Sequence, residues 1–462
     1  MRICCSLLLL GWSAIAAEPA DALWTARYVV TMDGGRVIED GAVAVRGERI
    51  VAVGPRTEVE ARFRPRLRVR RPDAAILPGL INTHTHAAMS LLRGIADDRR
   101  LQDWLENYIF PTESRHVSPD FVLWGTRLAC LEMLLSGTTT FADMYYFEEQ
   151  VAEAVKGAGM RGVLGQTVIR FPVADAKTPA DALARARRFL DRYRNDPLIV
   201  PAVAPHALYT NSAADLRAAR ALADEFDAPL LIHLSETAQE NEDSRAAHGK
   251  SPVRVLESLG LLAGRTLAAH GVWLDDADIA VLARRNVGVA HCPSSNMKLA
   301  SGVAPVPKLL AAGIAVGLGT DGPAGSNNDF NMFEEMDLAA KLQKVTRLDP
   351  EVLPAKVILE MATLGGARAL GMDHGIGSLA QGKLADFIAV RLDAAHAVPL
   401  YDIHSQIVYA LKGSDVNDVV IHGRWIVRDR RALTLDAAAI LRQARQYADR
   451  IRQGLPRIPP FE

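Results

Sequence analysis

The sequence predicts an α/β protein: a TIM-like parallel (β/α)8 barrel with a small β-sandwich domain formed from both chain ends. Three observations predict it. Apolar, strand-like runs alternate with Ala-rich helical stretches through the middle of the chain, the pattern of a parallel sheet. Several of those runs end in His, Glu or Asp, and a parallel barrel places its active site at the carboxyl ends of its strands. Short strand-and-turn signals precede the first such run and return after the last.

Residues 26–32 read as a strand that turns at Asp33-Gly34-Gly35, and residues 41–45 and 47–54 as a hairpin turning at Gly47. A similar block returns at residues 385–390 and 416–427. The simplest arrangement is one small β domain, residues 24–77 plus 380–432, with the barrel of residues 78–379 inserted into it. The first barrel strand is the apolar run 75–82, which leads into His84-Thr85-His86. Residues two apart on a strand share a face, so two imidazoles converge at one strand end. That is half of a metal site.

Residues 138–144, 162–169 and 198–206 read as the second to fourth strands, the fourth ending at His206. The fifth, 228–236, ends in His233-Leu234-Ser235-Glu236, and the sixth, 266–271, carries His270. The seventh runs into His291-Cys292-Pro293-Ser294-Ser295-Asn296, and the eighth, 315–322, ends at Asp321. Residues 180–193 and 213–226 are typical of the intervening helices. The C-terminal segment 433–462 holds a surface amphipathic helix at 437–453.

A chain of 462 residues can bury one large core and a smaller one. Its 53 basic and 54 acidic side chains nearly balance, with no basic stripe, which argues against a nucleic-acid partner and for a small molecule. The N-terminus differs from the rest. Met1-Arg2 precedes the apolar run 4–12, and Ala14-Ile15-Ala16 supplies an Ala-x-Ala site. Residues 1–17 therefore read as a secretory signal peptide, too short for a membrane anchor, and imply a periplasmic or secreted protein. The alternative is a misassigned start codon upstream of a cytoplasmic enzyme. Cys130 and Cys292, which remain after cleavage, each fall in a core-like segment and read as free thiols.

The ordered motifs resemble the amidohydrolase superfamily over nearly all of residues 26–426. The closer resemblance is to nucleoside deaminases acting on 5'-methylthioadenosine, S-adenosylhomocysteine and adenosine. It rests on residues 82–86, 91–98, Trp104-Leu105, 109–113, 291–296 and 319–322. The resemblance implies a metal held by His84, His86, His233 and Asp321, a donor set that suits zinc with an open position for water. His206 stands at the fourth strand end, where two-metal members carry a bridging lysine, so one zinc per chain is expected.

Zinc brings a bound water toward neutral pKa. Asp321 is placed to accept a proton from that water, and Glu236 to carry one to a ring nitrogen of the base. His270 would hydrogen-bond the attacking oxygen or support the metal ligands. Trp104, Glu113 and His206 are the implied substrate-binding residues. A carboxylate such as Glu113 can accept both hydroxyls of a ribose, and Trp104 offers a flat wall. The expected reaction is hydrolytic deamination of an adenine nucleoside to the inosine analogue and ammonia. The alternatives are a free-purine deaminase of the guanine or 8-oxoguanine type or a triazine hydrolase on this scaffold, and a non-catalytic metal-binding module. Gln166 reads as occupying the place where members accepting the homocysteine-bearing nucleoside carry an arginine, and so favours smaller 5'-groups. An additional glycine, Gly325, lengthens the loop after Asp321. The resemblance leaves a homo-oligomer open.

Overall fold

A computed structural model describes residues 17–454, so the expected leader lies outside the described residues except for Ala17. Four strands open the chain: β1 (Glu18–Val30), β2 (Val37–Arg46), β3 (Arg49–Pro55) and β4 (Phe63–Pro78). Eight follow in the middle: β5 (Leu80–Thr85), β6 (Thr138–Tyr145), β7 (Arg161–Val168), β8 (Ile199–Pro205), β9 (Leu230–Leu234), β10 (Thr266–His270), β11 (Gly288–His291) and β12 (Val316–Leu318). The last four are β13 (Phe387–Arg391), β14 (Val416–Ile421), β15 (Arg424–Arg428) and β16 (Arg431–Ala432).

Strands β5 to β12 form a closed barrel, each parallel to its neighbours. Its interior is filled by small and branched side chains such as Ile81, Ala142, Val163, Ala202, Leu231, Leu267 and Ala290. Helices wrap the outside. Three of them open with reciprocal capping boxes, Thr178 with Asp181, Ser212 with Asp215 and Asp275 with Asp278, which satisfy amides that a helix start leaves unpaired.

The remaining strands form one continuous eight-stranded sheet in the order β16-β15-β14-β13-β4-β1-β2-β3, in which only β1 and β4 pair in parallel. The sheet curls on itself. β1 and β15 stand four places apart, roughly 19 Å in a flat sheet. Yet the Trp24 and Trp425 rings lie 4.8 Å apart, with Phe387 5.3 Å from Trp24. The two halves of the sheet thus face each other over an apolar core.

The apolar run 75–82 is not one strand. It divides at Gly79 into the end of β4 and the start of β5, which belong to different sheets. A Cβ at Gly79 would lie 2.1 Å from Thr139 Oγ1, and the Gly79 N–H donates to the Asp386 carbonyl at 3.1 Å. Only a glycine lets the chain pass this closely from one sheet to the other.

The helix Ala437–Gly454 lies against the helix Pro119–Leu135, where Tyr447 meets Phe121 at 5.6 Å between ring centroids and bonds Asp120 through its hydroxyl. Among the described residues no helix is long and apolar enough to cross a membrane.

Candidate active site

The carboxyl ends of the barrel strands bring His84, His86, His233, His270 and Asp321 together. Asn82 sets the register of this rim. Its amide bridges β5 to the chain just after β12, donating to Thr320 Oγ1 at 2.7 Å and accepting the Thr320 N–H at 3.0 Å. Asp143, at the end of β6, braces the His-x-His segment by accepting Thr85 Oγ1–H at 2.6 Å and the Ala87 N–H at 2.7 Å. In the sequence Asn82 counts only as part of the 82–86 motif and Asp143 only as a residue of the second strand, because the bonds that give them their roles reach across to other segments.

The tautomers follow from the outer bonds. His86 Nδ1 lies 2.7 Å from the Met144 carbonyl and His233 Nδ1 2.8 Å from the His206 carbonyl. A carbonyl only accepts, so each Nδ1 carries the proton and each Nε2 presents a lone pair inward. Those two Nε2 atoms lie 3.3 Å apart. His84 Nε2 is buried without a hydrogen-bond partner, 3.4 Å from Asp321 Oδ1, and His86 Nε2 is 3.2 Å from the same oxygen. Converging lone pairs and a carboxylate are the surroundings a cation requires. The donors form two overlapping groups, His84 with His86 and Asp321, and His84 with His233 and His270. Nitrogen and carboxylate donors of this kind fit zinc.

Electrostatics agree with that reading. Burial holds His84 down at about 4 and His233 well below the usual imidazole range. Burial also opposes a proton on His86, but the hydrogen bond and charge of Asp321 outweigh it and lift His86 to about 9. The field that draws a proton to this point would draw a metal cation there instead. Asp321 is itself fixed by Ser295 Oγ–H at 2.7 Å and the Gly322 N–H at 2.6 Å. Ser235, His270 and Asp321 hold positive φ values of 50°, 73° and 63° although none is glycine, a cluster of strained backbone at one rim.

A cavity opens over these groups. Of the residues singled out in the sequence, His86, Trp104, Glu113, His206, His233, Glu236, His270 and Asp321 all line it. Glu236 Oε2 stands 3.8 Å from His270 Nε2, and burial raises the Glu236 carboxyl. His270 Nδ1 meets Asn296 Oδ1 at 3.1 Å. His206 is held by Thr210 Oγ1 at 3.1 Å from Nδ1, with its ring centroid 4.6 Å from that of His233. Glu113 accepts hydrogen bonds from Tyr145 at 2.6 Å and Tyr146 at 3.4 Å, and burial lifts it to about 7. The two tyrosines were not singled out in the sequence, where the second strand reads as ending at Met144.

Trp104 is buried, and its Nε1–H donates to the Ala324 carbonyl at 2.7 Å. Gly325 makes room for that contact. At φ +113°, a Cβ there would fall 2.3 Å from Trp104 Nε1 and 2.9 Å from the Ala96 carbonyl oxygen. Gln166 does not face the cavity. It is buried on the outer side of β7 and donates to Asp175 Oδ2 at 2.9 Å, while Thr167 lines the cavity. The inference from Gln166 to small 5'-groups therefore loses its support. Cys130 and Cys292 are buried free thiols, and burial pushes Cys292 well above its ordinary range, which fits wall rather than nucleophile.

Residues 75–426, most of the chain, match the amidohydrolase family. The chain belongs to that family. A second match, residues 41–64, is to a bacterial imidazolonepropionase-like composite domain. Among amidohydrolase relatives, the 5-methylthioadenosine/S-adenosylhomocysteine deaminase 1 of Syntrophus aciditrophicus is 49% identical over 95% of this chain and 99% of its own. That of Thermodesulfovibrio yellowstonii is 47% identical over 93% and 98%. Among solved structures, an adenosine deaminase from Xanthomonas campestris with bound zinc superposes with a TM-score of 0.93 at 45% identity, covering 95% of this chain and all of that one. An atrazine chlorohydrolase from Arthrobacter aurescens, complexed with zinc, reaches 0.84 at 26% identity over 92% of this chain and 100% of that one.

Proposed function

We propose that this protein is a zinc-dependent hydrolase that deaminates an adenine nucleoside, releasing ammonia and the inosine analogue. The observation that carries this reading is one cavity lined by groups suited to both halves of such a substrate. Glu236 and His270 stand 3.8 Å apart beside the converging His and Asp donors, and Trp104 and Glu113 line the same cavity. The deaminase names of the relatives at 43–49% identity over more than nine-tenths of this chain support it.

His84, His86, His233 and Asp321 would hold one zinc, which when bound brings a water to neutral pKa and polarises it for attack. Asp321 accepts the proton of the attacking water and returns it to the exocyclic amine, which leaves as ammonia when its C–N bond breaks. Glu236, kept protonated more readily by burial, donates to the ring nitrogen of the base, making the amidine carbon more electrophilic. His270, oriented by Asn296, hydrogen-bonds the attacking oxygen. Glu113, held by Tyr145, takes the ribose diol, while Trp104 and His206 pack around the nucleoside. A binding module would have no use for a carboxyl such as Glu236 beside the donor cluster. The test is ammonia release from adenosine, 5'-methylthioadenosine, S-adenosylhomocysteine, 2'-deoxyadenosine and guanine. Turnover of guanine alone would replace this reading with the free-purine one.

We also infer export, on the apolar run 4–12 and the Ala-x-Ala site alone. N-terminal sequencing of protein from its native host should begin near residue 17 or 18. A mature chain starting at Met1 would end that inference.

A further inference from the structure

The helix Ala238–His248 opens unlike the three that form capping boxes. Thr237-Ala238-Gln239-Glu240 has the capping-box sequence, and Thr237 Oγ1 does accept the Glu240 N–H at 3.1 Å. The returning half of the box goes elsewhere. The Glu240 carboxylate reaches past Thr237, so that Oε1 accepts the Ser235 N–H at 3.0 Å and Oε2 the Glu236 N–H at 2.7 Å. Glu240 is buried, so these bonds are shielded from competing water. The same short turn is held from the other side. The Ser235 carbonyl accepts the N–H groups of Val272 and Trp273 at 3.0 and 2.9 Å. Ser235 has a φ of 50°, a conformation a side chain disfavours, and such backbone persists only where its surroundings hold it.

We propose that Glu240 is a positioning residue for the reaction, a clamp that takes both amides of the Ser235–Glu236 turn and so aims the Glu236 carboxyl into the cavity beside His270. The role of Glu236 as proton carrier rests on the proposed function. The clamp needs a carboxylate. Two N–H donors require two acceptors, and a glutamine offers one oxygen and an NH2 group that would meet the second N–H donor to donor. An aspartate is one methylene too short to span both amides.

The substitution E240Q keeps the shape of the side chain and removes one acceptor. It is compared with wild type, E236Q and the double variant in ammonia release from adenosine. We expect kcat to fall about 10- to 100-fold, the scale of a small misplacement of a reacting group. Bound zinc per chain and KM stay near their wild-type values. Added to E236Q, the same change costs less than about twofold, because the group it aims is already gone. A crystal structure of E240Q shows the Ser235–Glu236 peptide displaced. A wild-type kcat for E240Q overturns the proposal, as does an equal loss in both backgrounds or a loss of zinc that accounts for the fall. An undisplaced peptide overturns it without any assay. Failure of wild type to release ammonia from any nucleoside would defeat the proposed function instead, and the crystal structure would still decide the clamp.

Discussion

At the amino end of the barrel Arg161 and Asp386 meet as matched partners, whereas at the carboxyl end three histidines converge with their acceptors facing one another. Arg161, the first residue of β7, donates Nε–H to Asp386 Oδ2 at 3.0 Å and a terminal N–H to the Pro197 carbonyl at 2.6 Å. Asp386 also accepts the His422 N–H at 2.7 Å, so one buried pair ties barrel to curled sheet. At the other end, His86 Nε2 and His233 Nε2 lie 3.3 Å apart, and His84 Nε2 has no hydrogen-bond partner. Both ends are buried, so exposure does not separate them. The difference is which groups meet: at one end a guanidinium faces a carboxylate, and even the Arg161 terminal nitrogen that makes no hydrogen bond stands 3.0 Å from Asp386 Oδ2, whereas at the other the imidazoles turn acceptors toward one another. A cation–anion pair fastens the barrel to the sheet; convergent acceptors suit a cation from outside. The strained residues Ser235, His270 and Asp321 stand at the second end.

Breaking the two ends should give different phenotypes. The largest effect is expected from His233→Ala, which should lose bound zinc by elemental analysis and with it nearly all turnover. Glu236→Gln should keep its zinc yet lose about 10²–10⁴-fold in kcat, since it removes only a proton carrier. Near-normal turnover would mean that another group moves the proton. Asp386→Ala should do the reverse of His233→Ala. Stranding the buried Arg161 should cost about 3–5 kcal/mol of stability in denaturant unfolding, with zinc content per folded chain unchanged. Loss of zinc in that variant would show that the two ends are not independent.

Two smaller effects sharpen the site itself. Burial lifts Glu113 to about 7, above its value in the unfolded chain, so its ionised form is present only as pH rises through that range. If that form binds the ribose diol, KM for adenosine should rise as pH falls below about 7. Glu113→Gln should remove this dependence, and 2'-deoxyadenosine should show less of it. The raised value also means that the group costs stability: that cost is absent below the unfolded carboxyl range, grows as pH rises and levels off above about 7. The smallest change is expected from Trp104→Phe, which strands the Ala324 carbonyl. At about 1 kcal/mol for one hydrogen bond, KM should rise about fivefold with kcat little altered. A changed kcat would give Trp104 a part beyond holding the wall.

The sequence by itself determined the strand-and-helix alternation, the closed parallel barrel, the β elements at both ends and the strand-end positions of His84, His86, His233, His270 and Asp321. These were legible because apolar periodicity and a polar residue at the end of a buried run are local patterns. Three things only the tertiary structure decided. The run 75–82 divides at Gly79 because of what lies across from it, Thr139 and the Asp386 carbonyl, which no window of sequence contains. Gln166 turns away from the cavity and its neighbour Thr167 lines it because side chains alternate along a strand, so a one-residue ambiguity in register reverses which faces the cavity. The partners that orient the site, Tyr145 on Glu113, Asn82 across to Thr320 and Asp143 on the His-x-His segment, come from other strands. A hydrogen bond depends on distance and direction in space, and chain spacing encodes these only within one strand or one helical turn.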